Sequence, residues 1–271
     1  MGKLINEYEI LSCTQQYLSP SADVLEIDKS LAENPDCGDL WMKRGRALSK
    51  ERFYHEALKS HSKAIALDPF NGDFYRYRAH CKLGCYLFED ACADFVLASR
   101  LIPFDWGVWY HLGLSFFLLQ EYEKAKSAYD RCYELSFDGD NEKELAAISN
   151  WYWIILQKLG KAKEAQTVLN RISEEMDPGP NKAYYELLKV YKGVVTPESL
   201  LASYDERKID YISKGFGIAN YYEHVGNRAK SDEVLSLTLN AGKETGIYYA
   251  FGCMAAVVET EIREERSRKI N

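Results

Sequence analysis

Cys81, Cys85 and Cys92, beside His80, are the residues whose types and spacing come nearest to a reactive or metal-binding set. Cys81 and Cys85 stand four apart and can share one helix face, but a structural zinc site wants four ligands at tighter turn spacing. Free cysteine is also a common small core residue, and the core reading is preferred for this set. Gly215-Phe216-Gly217 has neither the preceding strand nor the third glycine of a dinucleotide loop. It reads as small residues where two helices cross. No glycine-rich phosphate loop, His-Glu-x-x-His or nucleophile elbow occurs anywhere in the chain, so the expectation is a protein that is not an enzyme and uses no metal or other cofactor.

The elements that must position any working side chain are repeats. Pro35, Pro69 and Pro103 stand 34 apart, and so do Ala57, Ala91 and Ala125, and Ala64, Ala98 and Cys132. Trp41, Tyr75 and Trp109 each open a unit, while Phe95 and Tyr129 fall late in two of them. A fixed period of this length marks helix–turn–helix units that cannot bury their apolar faces without a neighbour. The third unit reads Trp109-x2-Leu112-Gly113-x2-Phe116, then Ala125-x3-Tyr129. That closely resembles the tetratricopeptide repeat family, with the register held over three units. The resemblance implies an all-α solenoid of antiparallel helix pairs forming a right-handed superhelix, acting by protein binding.

Composition narrows the role. A net charge of −7 over 271 residues argues against wholesale nucleic-acid binding, which rewards a basic surface. Met1-Gly2-Lys3-Leu4-Ile5-Asn6 turns polar at once, without a secretory apolar region. Asn6 stands where a myristoylation signal wants Ser or Thr, and nowhere do 18 apolar residues run together. Seven cysteines at scattered spacings read as reduced thiols, and the expected location is cytoplasmic.

One continuous solenoid over residues 1–271 is expected. Residues 1–37 read as a degenerate capping pair, broken at Ser19-Pro20-Ser21, and residues 38–137 hold the three regular repeats. In the first, Asp39 can cap a helix carrying Trp41, Gly45 and Leu48; in the second, Lys82 departs from the expected aromatic. Residues 138–245 are irregular: an insertion at Phe137–Glu142, a turn at Leu159-Gly160-Lys161, a stop at Asp177-Pro178-Gly179-Pro180 and a Thr196-Pro197 helix start. Gly242 is expected to end the sixth pair. Residues 246–271 begin apolar and turn charged from Glu259 to Lys269, as a terminal solvating helix would. The order of these parts also resembles bacterial lipoproteins of the new-lipoprotein-I type, which implies a homodimeric adaptor of cell-wall hydrolases and a protease. The chain lacks that family's lipid-attachment cysteine behind a leader.

The useful side chains are placed on the first helix of each pair, whose exposed face lines the concave groove in the tetratricopeptide family. By phase that face shows Met42, Lys43, Arg46 and Lys50, then Arg76, Tyr77 and His80, then Tyr110, His111, Leu114 and Phe117, then Asn150, Trp151, Ile154 and Lys158. The expected partner is a protein or peptide, acidic with aromatic or apolar anchors, its carboxylates taken by Arg46 and Arg76. The competing reading is that these are solvated faces, with the aromatics packed between repeats. The chaperone-binding members use Lys and Asn residues as a carboxylate clamp; here the matching places hold Met42, Arg46, Tyr77, Gly107 and His111, so the clamp is not reproduced. A second reading takes the stripe Leu4, Ile5, Tyr8, Leu11 and Tyr17 as a homodimer surface of an assembly or regulatory factor.

Overall fold

The computed structural model describes residues 2–13, 19–136, 142–203, 205 and 209–270. Among them the secondary structure is helical, with no strand. The period of 34 appears as three helix pairs: α3 (Gly38–Lys50) with α4 (Tyr54–Leu67), α5 (Gly72–Gly84) with α6 (Phe88–Leu101), and α7 (Trp106–Leu118) with α8 (Tyr122–Ser136). They follow α1 (Lys3–Cys13) and α2 (Ala22–Glu33), and precede α9 (Glu142–Lys158), α10 (Ala162–Asn170), α11 (Lys182–Tyr191), α12 (Pro197–Ala202), α13 (Ile209–His224), α14 (Arg228–Thr245) and α15 (Phe251–Ile270). No described helix is long and apolar enough to cross a membrane.

The starts and stops follow local chemistry. Ser21 accepts from the Val24 amide, and Thr196 accepts from the Ser199 amide with Pro197 in the first helical turn. Asp39 is not the cap expected of it: Cys37 holds the cap position without a side-chain bond, and Asp39 lies inside the first turn, where a carboxylate meets the positive end of the helix dipole. Gly242 does not end α14, which runs on to Thr245 before Gly246 turns left-handed (φ 68°). Gly242 instead makes room: a Cβ there would lie 2.8 Å from the Cys253 sulfur. Within the three regular pairs the turns use side chains at positive φ, namely Arg52 (66°), Tyr86 (62°) and Gln120 (63°), again 34 apart. The expected insertion at Phe137–Glu142 falls largely outside the described residues, which resume with α9.

The chain divides into two compact units, Met1–Ser115 and Phe116–Asn271. In the first, α2 packs on α3, α3 on α4, α4 on α5 and α5 on α6. Val24, Leu48, Tyr54, Ala57, Cys81 and Cys85 form one buried cluster, so these two cysteines are core packing; the Cys81 sulfur also lies 3.5 Å from the Tyr54 carbonyl oxygen. Cys92 and Cys132 are buried thiols too. Gly45 is small because the ring of His61 sits on it: a Cβ would come within 2.5 Å of the imidazole. Lys82, the residue that departs from the repeat, binds the buried Asp94 at 2.8 Å; Arg78 grips the same carboxylate with two bonds of 2.7 Å. A buried carboxylate needs such partners, since stripping it of water unpaired costs several kcal/mol. Tyr8 of the expected dimer stripe turns inward and packs on Tyr86 at 5.6 Å, leaving Leu4 and Ile5 half-buried; Leu11 and Tyr17 lie outside what is described of side chains.

In the second unit α9 packs against α8, α10, α11 and α13, and α13 against α14 and α15. Gly215 and Gly217 are the small residues of a crossing, as their spacing suggests: a Cβ would lie 2.1 Å from Thr238 Oγ1 or 2.5 Å from Leu187 Cδ1. Trp153 stacks on Tyr191 with centroids 3.9 Å apart, and Trp151, Phe117 and Phe216 pack mutually at 5.5–6.0 Å. The last helix corrects the expectation of a solvating end. Glu259, Glu261 and Arg263 are buried, and only from Glu264 onward is the face open. Arg263 binds Glu259 and Glu223 at 2.9 Å each and also Asp232, while Lys158 reaches Glu259 at 2.7 Å. Lys214, with 1% of its side chain exposed, pairs with Glu186.

Candidate functional site

The first helices of the unit Met1–Ser115 carry the candidate site. On α3, Lys43, Arg46 and Lys50 recur at spacings of three and four, share one face and are all exposed. None of the three has an acidic partner among the described residues. Arg46 lays its guanidinium over the ring of Tyr77 on α5, 4.5 Å from the centroid. A guanidinium held on an aromatic face keeps its edge N–H donors, the group that pairs bidentately with carboxylates.

Arg76 departs from its expected role. Its guanidinium also lies over Tyr77, at 4.8 Å, but its nitrogens bind Asp73 and Asp105 at 2.8 Å each and donate to the Tyr77 hydroxyl at 3.0 Å. The remaining Nε is buried without a partner. Arg76 is therefore a brace between the start of α5 and the turn before α7, already supplied with carboxylates. It is corrected from anion receptor to positioning residue.

His61, on α4, stacks under Tyr77 (centroids 6.3 Å, planes 17° apart), and neither of its ring nitrogens has a hydrogen-bond partner among the described residues. Burial first, then the charges of Arg78 and Arg46, pull its pKa from 6.5 to about 4, so it is neutral at physiological pH. Phase alone could have flagged it, because His61 stands where the next two repeats have Phe95 and Tyr129.

His80 and His111 meet edge to face at 4.8 Å. His80 is exposed on one side and closed off by α7 on the other; burial, then Arg76, holds its pKa below 6.5. His111 is half-buried, stacked on Phe95 at 5.7 Å with Tyr110 edge-on at 5.0 Å. Its Nδ1 lies 2.6 Å from the Gly107 carbonyl, an acceptor only, so Nδ1 carries the proton. Burial, then His80, lowers its pKa to about 3, against the opposing pull of the Gly107 bond.

The other expected groove residues lie elsewhere. Tyr110, Leu114, Phe117, Asn150, Trp151 and Ile154 are buried, and Asn150 is committed to the Tyr191 hydroxyl at 3.0 Å. Lys158 is spent on Glu259. These residues pack the fold; the expectation that they face a groove is corrected, because helix phase gives an inward face without saying how many neighbours cover it.

The described geometry defines a protein of stacked antiparallel helix pairs presenting a cationic and aromatic face. Residues 107–138, spanning most of α7 and all of α8, match the tetratricopeptide repeat, and the all-helical fold is that of such repeats. Among solved structures it is similar to the apo form of RapI, with a TM-score of 0.62 and 14% identity, covering 82% of this chain and 68% of that one. It is also similar to MamA, with a TM-score of 0.50 and 16% identity, covering 64% of this chain and 90% of that one. At such identity the likeness is one of fold. No curated protein matches the sequence.

Proposed function

We propose that the chain is a non-enzymatic interaction scaffold that binds an acidic protein segment on the α3–α5 face of the unit Met1–Ser115. The observation that carries this reading is Arg46, seated on Tyr77 and flanked by Lys43 and Lys50, none of the three with an acidic partner among the described residues, in a chain of net charge −7. An exposed ion pair contributes little to stability, so leaving three cations unpaired costs the fold little and keeps them for a ligand. The exposed side of His80 supplies a flat anchor beside them, the kind of surface on which interface energy concentrates.

The test is fluorescence polarisation with a tetramethylrhodamine-labelled peptide of alternating glutamate and leucine. Wild type should bind it in a salt-sensitive way, and Lys43→Glu, Arg46→Glu, Lys50→Glu together should weaken binding at least about tenfold, the loss of a few charge-assisted contacts. Equal binding by the triple variant, or no binding by wild type, overturns the reading. Arg76 is left alone in that design, since reversing it would place three carboxylates together.

A further inference from the structure

Gly45, His61, Tyr77 and Arg46 form one chain of contacts that leaves α3 and returns to it. A Cβ at Gly45 would lie 2.5 Å from His61 Cε1 and 2.7 Å from each ring nitrogen, so the imidazole of α4 rests against the α3 backbone. That imidazole is wholly buried, and its plane stands 17° from that of Tyr77 on α5. The Tyr77 hydroxyl accepts from Arg76, itself fixed by Asp73 and Asp105. Arg46, the residue after Gly45, lies over the Tyr77 ring. The next repeat builds the same step from other residues, with Phe95 of α6 stacked on His111 of α7 at 5.7 Å. Where Arg46 stands, however, the two following repeats have His80 and Leu114. The ring step therefore belongs to the repeat, and the guanidinium standing on it belongs to the first of the three.

We infer that the His61–Tyr77 step is a positioning platform for Arg46, so that the docking face reads one carboxylate of its acidic partner as a planar fork while Lys43 and Lys50 answer to charge alone. This rests on the proposed acid-binding face. A guanidinium held against an aromatic ring turns its N–H edge outward, the orientation that meets both oxygens of a carboxylate at once. Lysine is a point charge on a flexible stem and has no such plane. Holding one long side chain before the ligand arrives spares its ordering cost, roughly two- to tenfold in affinity. His61 acts here through its flat face. Neither of its ring nitrogens has a partner among the described residues, and the ring is neutral at pH 7.5. Arg76 is no substitute for Arg46, because its carboxylates are already Asp73 and Asp105.

The experiment is a double-mutant cycle with the labelled Glu–Leu peptide at pH 7.5, using wild type, His61→Leu, Arg46→Lys and the double variant. Leucine fills the buried site without a flat ring; His61→Phe, the residue of the next repeat, restores one. Circular dichroism confirms each fold, and Tyr77→Leu replaces His61→Leu in the cycle if the latter does not fold. Expected are losses of about three- to fivefold in His61→Leu and about fivefold or more in Arg46→Lys. The double variant should lie within about twofold of Arg46→Lys, since the platform then has no fork to position, and His61→Phe within about twofold of wild type. The salt dependence of binding in His61→Leu should match wild type, because the charge is unchanged.

Losses that multiply in the double variant, no recovery in His61→Phe, an altered salt dependence in His61→Leu, or wild-type affinity in either single variant overturns the inference. The docking face stands in each of those cases so long as Lys43→Glu, Arg46→Glu, Lys50→Glu together still abolish binding. Equal binding by that triple variant, or none by wild type, removes both.

Discussion

The two units of this chain treat charge in opposite ways. In Phe116–Asn271 three cations are turned inward: Arg263 holds Glu223, Asp232 and Glu259, Lys158 holds Glu259, and Lys214 holds Glu186. In Met1–Ser115 the α3 stripe of Lys43, Arg46 and Lys50 meets no carboxylate among the described residues, while Arg76 and Arg78 in the next repeat are each bound to carboxylates. The same residue types therefore serve cohesion in one unit and availability in part of the other. Sequence phase alone does not separate the two, because an arginine on a first helix looks identical whether its carboxylate is in the next turn or absent.

The comparison breaks most readily at Arg263. Arg263→Ala leaves the buried Glu259 with Lys158 alone of its two cations and should cost up to about 3 kcal/mol in chemical denaturation; a loss below about 1 kcal/mol would mean the network is surface decoration. Next in size is acid sensitivity. His61 has a folded pKa depressed to about 4, so the stability it contributes is full above 6.5 and declines as pH falls toward 4. His61→Phe, which adopts the residue of the following repeat, should remove about 2 kcal/mol of the stability difference between pH 7.5 and pH 5. An unchanged pH profile of the midpoint would sink that assignment. Smallest is Arg46→Glu, expected to move stability by less than about 0.5 kcal/mol. A drop of 2 kcal/mol would show that Arg46 belongs with the cohesive charges.

Much of the fold was legible because it repeats. Prolines, alanines and aromatics in step at 34 residues announce hairpins, and Thr196-Pro197 and Gly160 place later ends well. The site was half legible. Lys43, Arg46, Lys50 and His80 are exposed and Tyr77 half-buried on the expected helices, whereas Asp105, which shares Arg76 with Asp73, is 29 residues from it and comes from another repeat. The buried aromatics of α7 and α9 were misplaced because a neighbour-poor face and a covered face have the same periodicity. The buried charges of α15 misled for a related reason: composition says that a segment is polar, and only tertiary partners say whether it is wet.

The three turns at Arg52, Tyr86 and Gln120 carry a last implication. An L-residue in the left-handed region costs roughly 1 kcal/mol relative to glycine. At Tyr86 the cost is offset, because its ring is wedged between Tyr8 and Phe88 and ties the first helix down. Arg52 and Gln120 are both exposed. The exposed bend at Gln120 thus holds a small margin of robustness that glycine would release, and the bend at Tyr86 has converted that same backbone tension into an anchor for the N-terminal helix.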